Sequence, residues 1–144
     1  PANAPLLPDA TSAIERLEKG ERVDVGAMHP ALQGLFAPAV QGYLIDMLSR
    51  DPATLLAGVD LPVLIVQGGR DLQITVADGE ALHAGKASAT YVVAPAMNHV
   101  LKNVTSDEPA ANYAAYADPS LPIAPELVEA IGSFVAAPAG RKGE

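Results

Sequence analysis

The spacing of apolar positions changes partway along the chain, and the change marks its organisation. In the first part the spacing is helical. Ser12-Ala-Ile-Glu15 has the form of a capping box, with Ile14 and Leu17 as apolar positions, and Gly20 supplies a stop. A second helix is expected from Pro30 to Phe36. The third is the clearest, with Val40, Tyr43, Leu44, Met47 and Leu48 on one face, and it ends before Asp51-Pro52, where a new cap and first-turn proline start Ala53 to Ala57. The period then disappears. Val63 to Val66 is an apolar run without polar alternation, the pattern of a strand buried on both faces of a parallel sheet. Thr90 to Ala94, β-branched and aromatic, predicts a second strand that Pro95 stops.

Between these runs, Val76 to Lys86 carries Val76, Ala77, Ala81, Leu82 and Ala84 as an apolar stripe, with Gly85 as an αL stop. It predicts the crossover helix of a βαβ unit, which makes the two strands parallel neighbours. Beyond them, residues 103–122 predict irregular structure with a short helix near Pro109 to Tyr116. A closing helix from Ala124 to Ala136 sets Leu127, Val128, Ile131, Phe134 and Val135 on one stripe, to be packed on the sheet beside the second strand.

The βαβ reading places two ionisable residues at the same sheet edge. Asp71 follows the first strand through Gly68-Gly69, a pair suited to a sharp turn, and His99 follows the second. In open α/β sheets ligands bind in the crevice beyond the carboxyl ends of the strands. An imidazole, with an ordinary pKa of about 6.5, can take a hydroxyl proton, and a carboxylate on Nδ1 fixes its tautomer and stabilises the imidazolium. Each residue alone also fits a plainer role, Asp71 as a turn former and His99 as a structural histidine. Their order, each after a strand, favours the site.

Pro62-Val-Leu-Ile-Val-Gln-Gly-Gly-Arg-Asp71, the crossover helix, Met97-Asn98-His99-Val100-Leu101-Lys102 and the closing helix resemble the carboxyl-terminal part of the α/β-hydrolase fold. More narrowly, they are similar to bacterial serine hydrolases of the esterase, lipase and serine-aminopeptidase-like branch. The resemblance covers residues 51–137. It implies an α/β class, a partial hydrolase core of two parallel strands with flanking helices, preceded by a helical lid-like segment. It also implies Asp71 as the acid and His99 as the base of a Ser-His-Asp triad. The expected divisions are residues 1–58 as the lid-like segment, 59–137 as the core part and 138–144 as a flexible tail.

The nucleophile is missing from this pattern. Its family motif is Gly-x-Ser-x-Gly, ahead of the acid and base in chain order, and none of Ser12, Ser49, Ser88, Ser106, Ser120 and Ser133 has that setting. The expectation is therefore the acid-and-base portion of a longer serine hydrolase, inactive alone, whose full-length form takes a small acyl substrate. A noncatalytic interaction module of hydrolase ancestry is the alternative. Two parallel strands leave edges and faces uncovered, so the missing amino-terminal segment or a second copy is expected to be needed for folding.

Composition narrows the partners. The 144 residues carry a formal charge of −8, which disfavours nucleic acid and anionic membrane surfaces. No apolar stretch is long enough for a membrane span. The absence of cysteine excludes disulfides and thiolate metal sites. His29, His83 and His99 match no ligand-pair spacing, and Gly68-Gly69 lacks the rest of a phosphate cradle, so neither metal nor cofactor is expected.

Overall fold

The computed structural model describes residues 3–106 and 108–137. The predicted tail at 138–144 lies outside the described residues. The chain divides into two compact units, Pro1–Asp51 and Pro52–Glu144.

The first unit is helical. A 3-10 turn at Ala4–Leu6 leads into α1 (Leu7–Glu18), followed by α2 (Pro30–Gln33) and α3 (Pro38–Leu48). Helix α1 begins ahead of the expected capping box, leaving Ser12 and Glu15 inside it. Pro8 and Asp9 in its first turn are the start signal instead, one preset for helical φ and the other favourable at the positive end of the dipole. Its end is as expected: Gly20 has φ +80°, and the Glu21 N–H donates to the Arg16 carbonyl at 2.9 Å. The His29 ring caps α2, its Nδ1 accepting the Ala31 N–H at 3.2 Å.

The core of this unit is Ala13, Leu17, Val23, Leu32 and Phe36, with Leu44, Ile45 and Leu48 of α3 packed against it. The buried face of α3 is thus rotated from the predicted one, since Val40, Tyr43 and Met47 are exposed. Gln41 is the cause. Only 1% exposed, it accepts the Val23 N–H at 3.0 Å and donates to the Val23 and Phe36 carbonyls, each at 2.8 Å. A fully bonded carboxamide occupies the place where the apolar pattern expects hydrocarbon.

The second unit is α/β. It runs α4 (Pro52–Ala57), β1 (Leu64–Gly68), α5 (Val76–Gly85), β2 (Thr90–Ala94), α6 (Pro109–Ala114), a 3-10 turn at Ala115–Ala117, and α7 (Pro125–Ala136). Strands β1 and β2 pair in parallel, from Leu64 opposite Thr90 to Gly68 opposite Ala94. Helix α5 starts with a capping box that the apolar pattern did not reveal. The Thr75 N–H donates to Asp78 Oδ2 at 2.7 Å, and the Thr75 side chain accepts from the N3 backbone.

Two glycine roles differ from those expected. Gly85 is a helical residue with negative φ. A Cβ there would lie 2.7 Å from the Ala53 carbonyl oxygen, so its smallness lets α4 approach α5. Gly68 and Gly69 also have ordinary φ, and a Cβ on them would meet Met97 O at 2.5 Å and Pro95 O at 2.7 Å. They serve close approach between the two strand-end turns rather than a special backbone conformation. His83 is half-buried and stacks on Tyr91 of β2, with ring centroids 5.3 Å apart.

Helix α7 packs on both strands, and Leu127 joins the cluster of Ala94, Met97 and Ala124. Val128, Ile131 and Val135 belong to the same apolar stripe but stay exposed, so the two-stranded sheet covers only part of that stripe. No helix among the described residues is long and apolar enough to cross a membrane.

Candidate acid–base site

The parallel pairing of β1 and β2 carries both strands to the same edge, where each ends in a turn. The turns are joined by backbone bonds, from Gly69 N–H to the Ala94 carbonyl at 2.8 Å and from Arg70 N–H to the Met97 carbonyl at 3.0 Å. Asp71 and His99 emerge from this double turn.

Their side chains meet. Nδ1 of His99 lies 2.9 Å from Oδ2 of Asp71. The other carboxylate oxygen, Oδ1, accepts the backbone N–H groups of Gln73 at 2.8 Å and Ile74 at 2.9 Å. Burial opposes ionisation of Asp71, but the Ile74 and Gln73 N–H groups, and then His99, outweigh it and hold the carboxyl below its usual range. An ionised Asp71 makes Nδ1 the protonated ring nitrogen and leaves the lone pair on Nε2. Exposure follows the same division, with 10% for the Asp71 side chain and 37% for that of His99. The acid is enclosed and the imidazole opens outward.

The His99 turn is built as a small antiparallel loop. Met97 bridges to Asn103, and the Asn98 N–H donates to the Lys102 carbonyl at 2.9 Å. Leu101 at its tip has φ +63°, a left-handed conformation of the kind that concentrates at functional turns. Asn98, buried beneath the loop, accepts the N–H groups of Val100 at 3.2 Å and Lys102 at 3.0 Å on its Oδ1. Sequence reasoning named Asn98 only as a neighbour of His99. Its inward direction has no signal in an apolar pattern, because asparagine counts there as a surface residue.

Chemically, the pair can accept a proton at Nε2 and stabilise the resulting imidazolium through Asp71. No serine among the described residues is hydrogen-bonded to His99. Nor do three or more metal-ligating side chains gather among the described residues.

Comparison with known proteins adds a relationship. The chain is 34% identical over 99 residues to the esterase EstD of Thermotoga maritima, an alignment covering 67% of this chain. The chain spans 23% of the length of that curated relative. No protein-family profile matches the chain. No solved structure matches it either. The partial similarity to EstD relates the chain to an esterase-like hydrolase.

Proposed function

We propose that the chain provides the acid and base of a serine hydrolase acting on carboxylic esters or related small acyl compounds. Asp71 orients His99, and His99 is the general base. The contact of 2.9 Å on Nδ1, which leaves Nε2 as the proton acceptor, is the observation that carries this reading. The partial likeness to an esterase supports the same reaction class.

In this mechanism a serine hydroxyl gives its proton to Nε2 as its oxygen bonds to the acyl carbon. The imidazolium then returns that proton to the departing alkoxide, leaving an acyl-enzyme for water to cleave by the same proton relay. The serine and the oxyanion donors come from elsewhere in a larger α/β-hydrolase protein, of which this chain is the carboxyl-terminal part. The chain alone is accordingly inactive. Residues 1–58 serve as its lid-like segment, a reading supported by the exposed Val40, Tyr43 and Met47. Complementary strands or a second copy cover the edges of the two-stranded sheet and the apolar residues Val128, Ile131 and Val135 of α7.

Fluorophosphonate labelling of the serine-bearing polypeptide tests the assignment. His99→Ala abolishes labelling and His83→Ala retains it. Equal labelling of the two variants rejects His99 as the base.

A further inference from the structure

The acid and base turns share a brace that neither strand supplies. It is the segment formed by α6 and the following 3-10 turn, which reaches both turns with side-chain hydrogen bonds. Asn112 is its centre. Buried at 3% exposure, Asn112 accepts from Asn98 Nδ2 on its Oδ1 at 3.4 Å and donates from its Nδ2 to the Arg70 carbonyl at 2.7 Å. One side chain therefore touches the residue before His99 and the residue before Asp71.

Two further side chains tie these turns to the same segment and the residue that follows it. The Gln73 carboxamide donates to the Tyr116 hydroxyl at 3.0 Å, and Gln73 is one of the residues whose N–H holds Asp71 Oδ1. Lys102 Nζ donates to the Ala115 carbonyl at 3.0 Å and to the Asp118 carbonyl, closing the far side of the His99 loop onto the brace. A charge-assisted bond such as that between Asp71 and His99 depends on distance and direction, and the His99 side chain is partly open to solvent. Holding both turns to one element fixes that distance and direction.

We propose that Asn112 is a positioning residue for the Asp71–His99 pair, with α6 as the brace that sets the distance between the acid and base turns. This rests on the reading of Asp71 and His99 as an acid–base pair. Asn112 touches no reacting atom in this arrangement. It acts by fixing Arg70 and Asn98, and through them the rotamers that let Nδ1 face Oδ2.

The test is histidine-selective ¹⁵N NMR of the 144-residue chain at neutral to mildly alkaline pH, reading the ring tautomer of His99 with His29 and His83 as internal controls. Wild type shows His99 with its proton on Nδ1. Asn112→Asp keeps the shape but loses the donor to the Arg70 carbonyl, and Asn112→Ala removes both bonds. In each, the ratio of Nδ1–H to Nε2–H tautomers at His99 falls about tenfold, the scale set by loosening a charge-assisted bond. The controls do not move. An unchanged His99 ratio in folded Asn112→Asp overturns the brace while leaving the acid–base pair standing. No Nδ1–H preference in wild type, or none lost in Asp71→Asn, overturns both. Should both Asn112 variants fail to fold, the Asn112 carboxamide signals of Asp71→Asn decide: displaced signals support the coupling, and signals identical to wild type overturn it.

Discussion

Gly69 lies against Pro95 so closely that a Cβ on Gly69 would stand 2.7 Å from the Pro95 carbonyl oxygen and 2.9 Å from its Cα. The contact is backbone on backbone, so no side chain can swing aside. It fixes the separation of the two turns from which Asp71 and His99 project. Gly69→Ala is expected to cost about 1–3 kcal/mol through overpacking and to lengthen the Asp71–His99 contact. Urea unfolding gives the first quantity and the tautomer of His99 the second. A variant as stable as wild type, with an unaltered His99, contradicts this account of the glycine.

The lowered carboxyl of Asp71 predicts a pH dependence of stability. The folded state holds this proton less tightly than the unfolded state, so the contribution is fully present above the ordinary carboxylate value of about 4 and disappears as pH falls through the lower folded value. Asp71→Asn is therefore less stable than wild type at neutral pH, by on the order of 1 kcal/mol, and the difference narrows in acid. Urea midpoints of both proteins across the acid range check the sign. A gap that widens on acidification contradicts it.

Gln41 predicts a different kind of loss, confined to the helical unit. Truncation to Ala leaves the Val23 N–H and the Val23 and Phe36 carbonyls without their buried partner. Such orphaned groups cost about 1–3 kcal/mol, so protection of the Leu17 amide against hydrogen exchange should fall by one to two orders of magnitude, about 1.4 kcal/mol per decade. Unchanged protection excludes Gln41 as the polar core of this unit.

The uncovered sheet edges predict self-association of the chain in isolation. Light scattering at low micromolar concentration is expected to give the mass of two or more copies, because the edges of β1 and β2 and the exposed face of α7 remain to be buried. A cooperatively unfolding monomer contradicts that expectation.

How far the sequence carried depended on what each element was made of. The strands were legible because Val63 to Val66 and Thr90 to Ala94 are continuous apolar runs, and their parallel pairing followed from the helix-length stretch between them. The neighbourhood of Asp71 and His99 was legible for the same reason, since strand ends fix where the turns lie. Residues that act against their type were not. Gln41, Asn98 and Asn112 are buried amides, and an apolar pattern assigns amides to the surface. That is why the face of α3 was rotated and why the brace beneath the site was missed. The glycines were noticed but misread: Gly68, Gly69 and Gly85 allow close approach, and that function depends on a neighbour distant in sequence. Ser12 to Glu15 had the form of a cap but lay inside a helix already begun at Leu7.

The central claim is that Asp71 and His99 act as one unit, and a double-mutant cycle on ester hydrolysis by the serine-bearing polypeptide tests it most directly. Asp71→Asn is expected to lower kcat by about 10⁴ and His99→Ala by about 10⁶. The double variant should be no slower than His99→Ala alone, because an acid that works only through the base has nothing to orient once the base is gone. Losses that multiply in the double variant, or a kcat untouched by either substitution, would contradict the account.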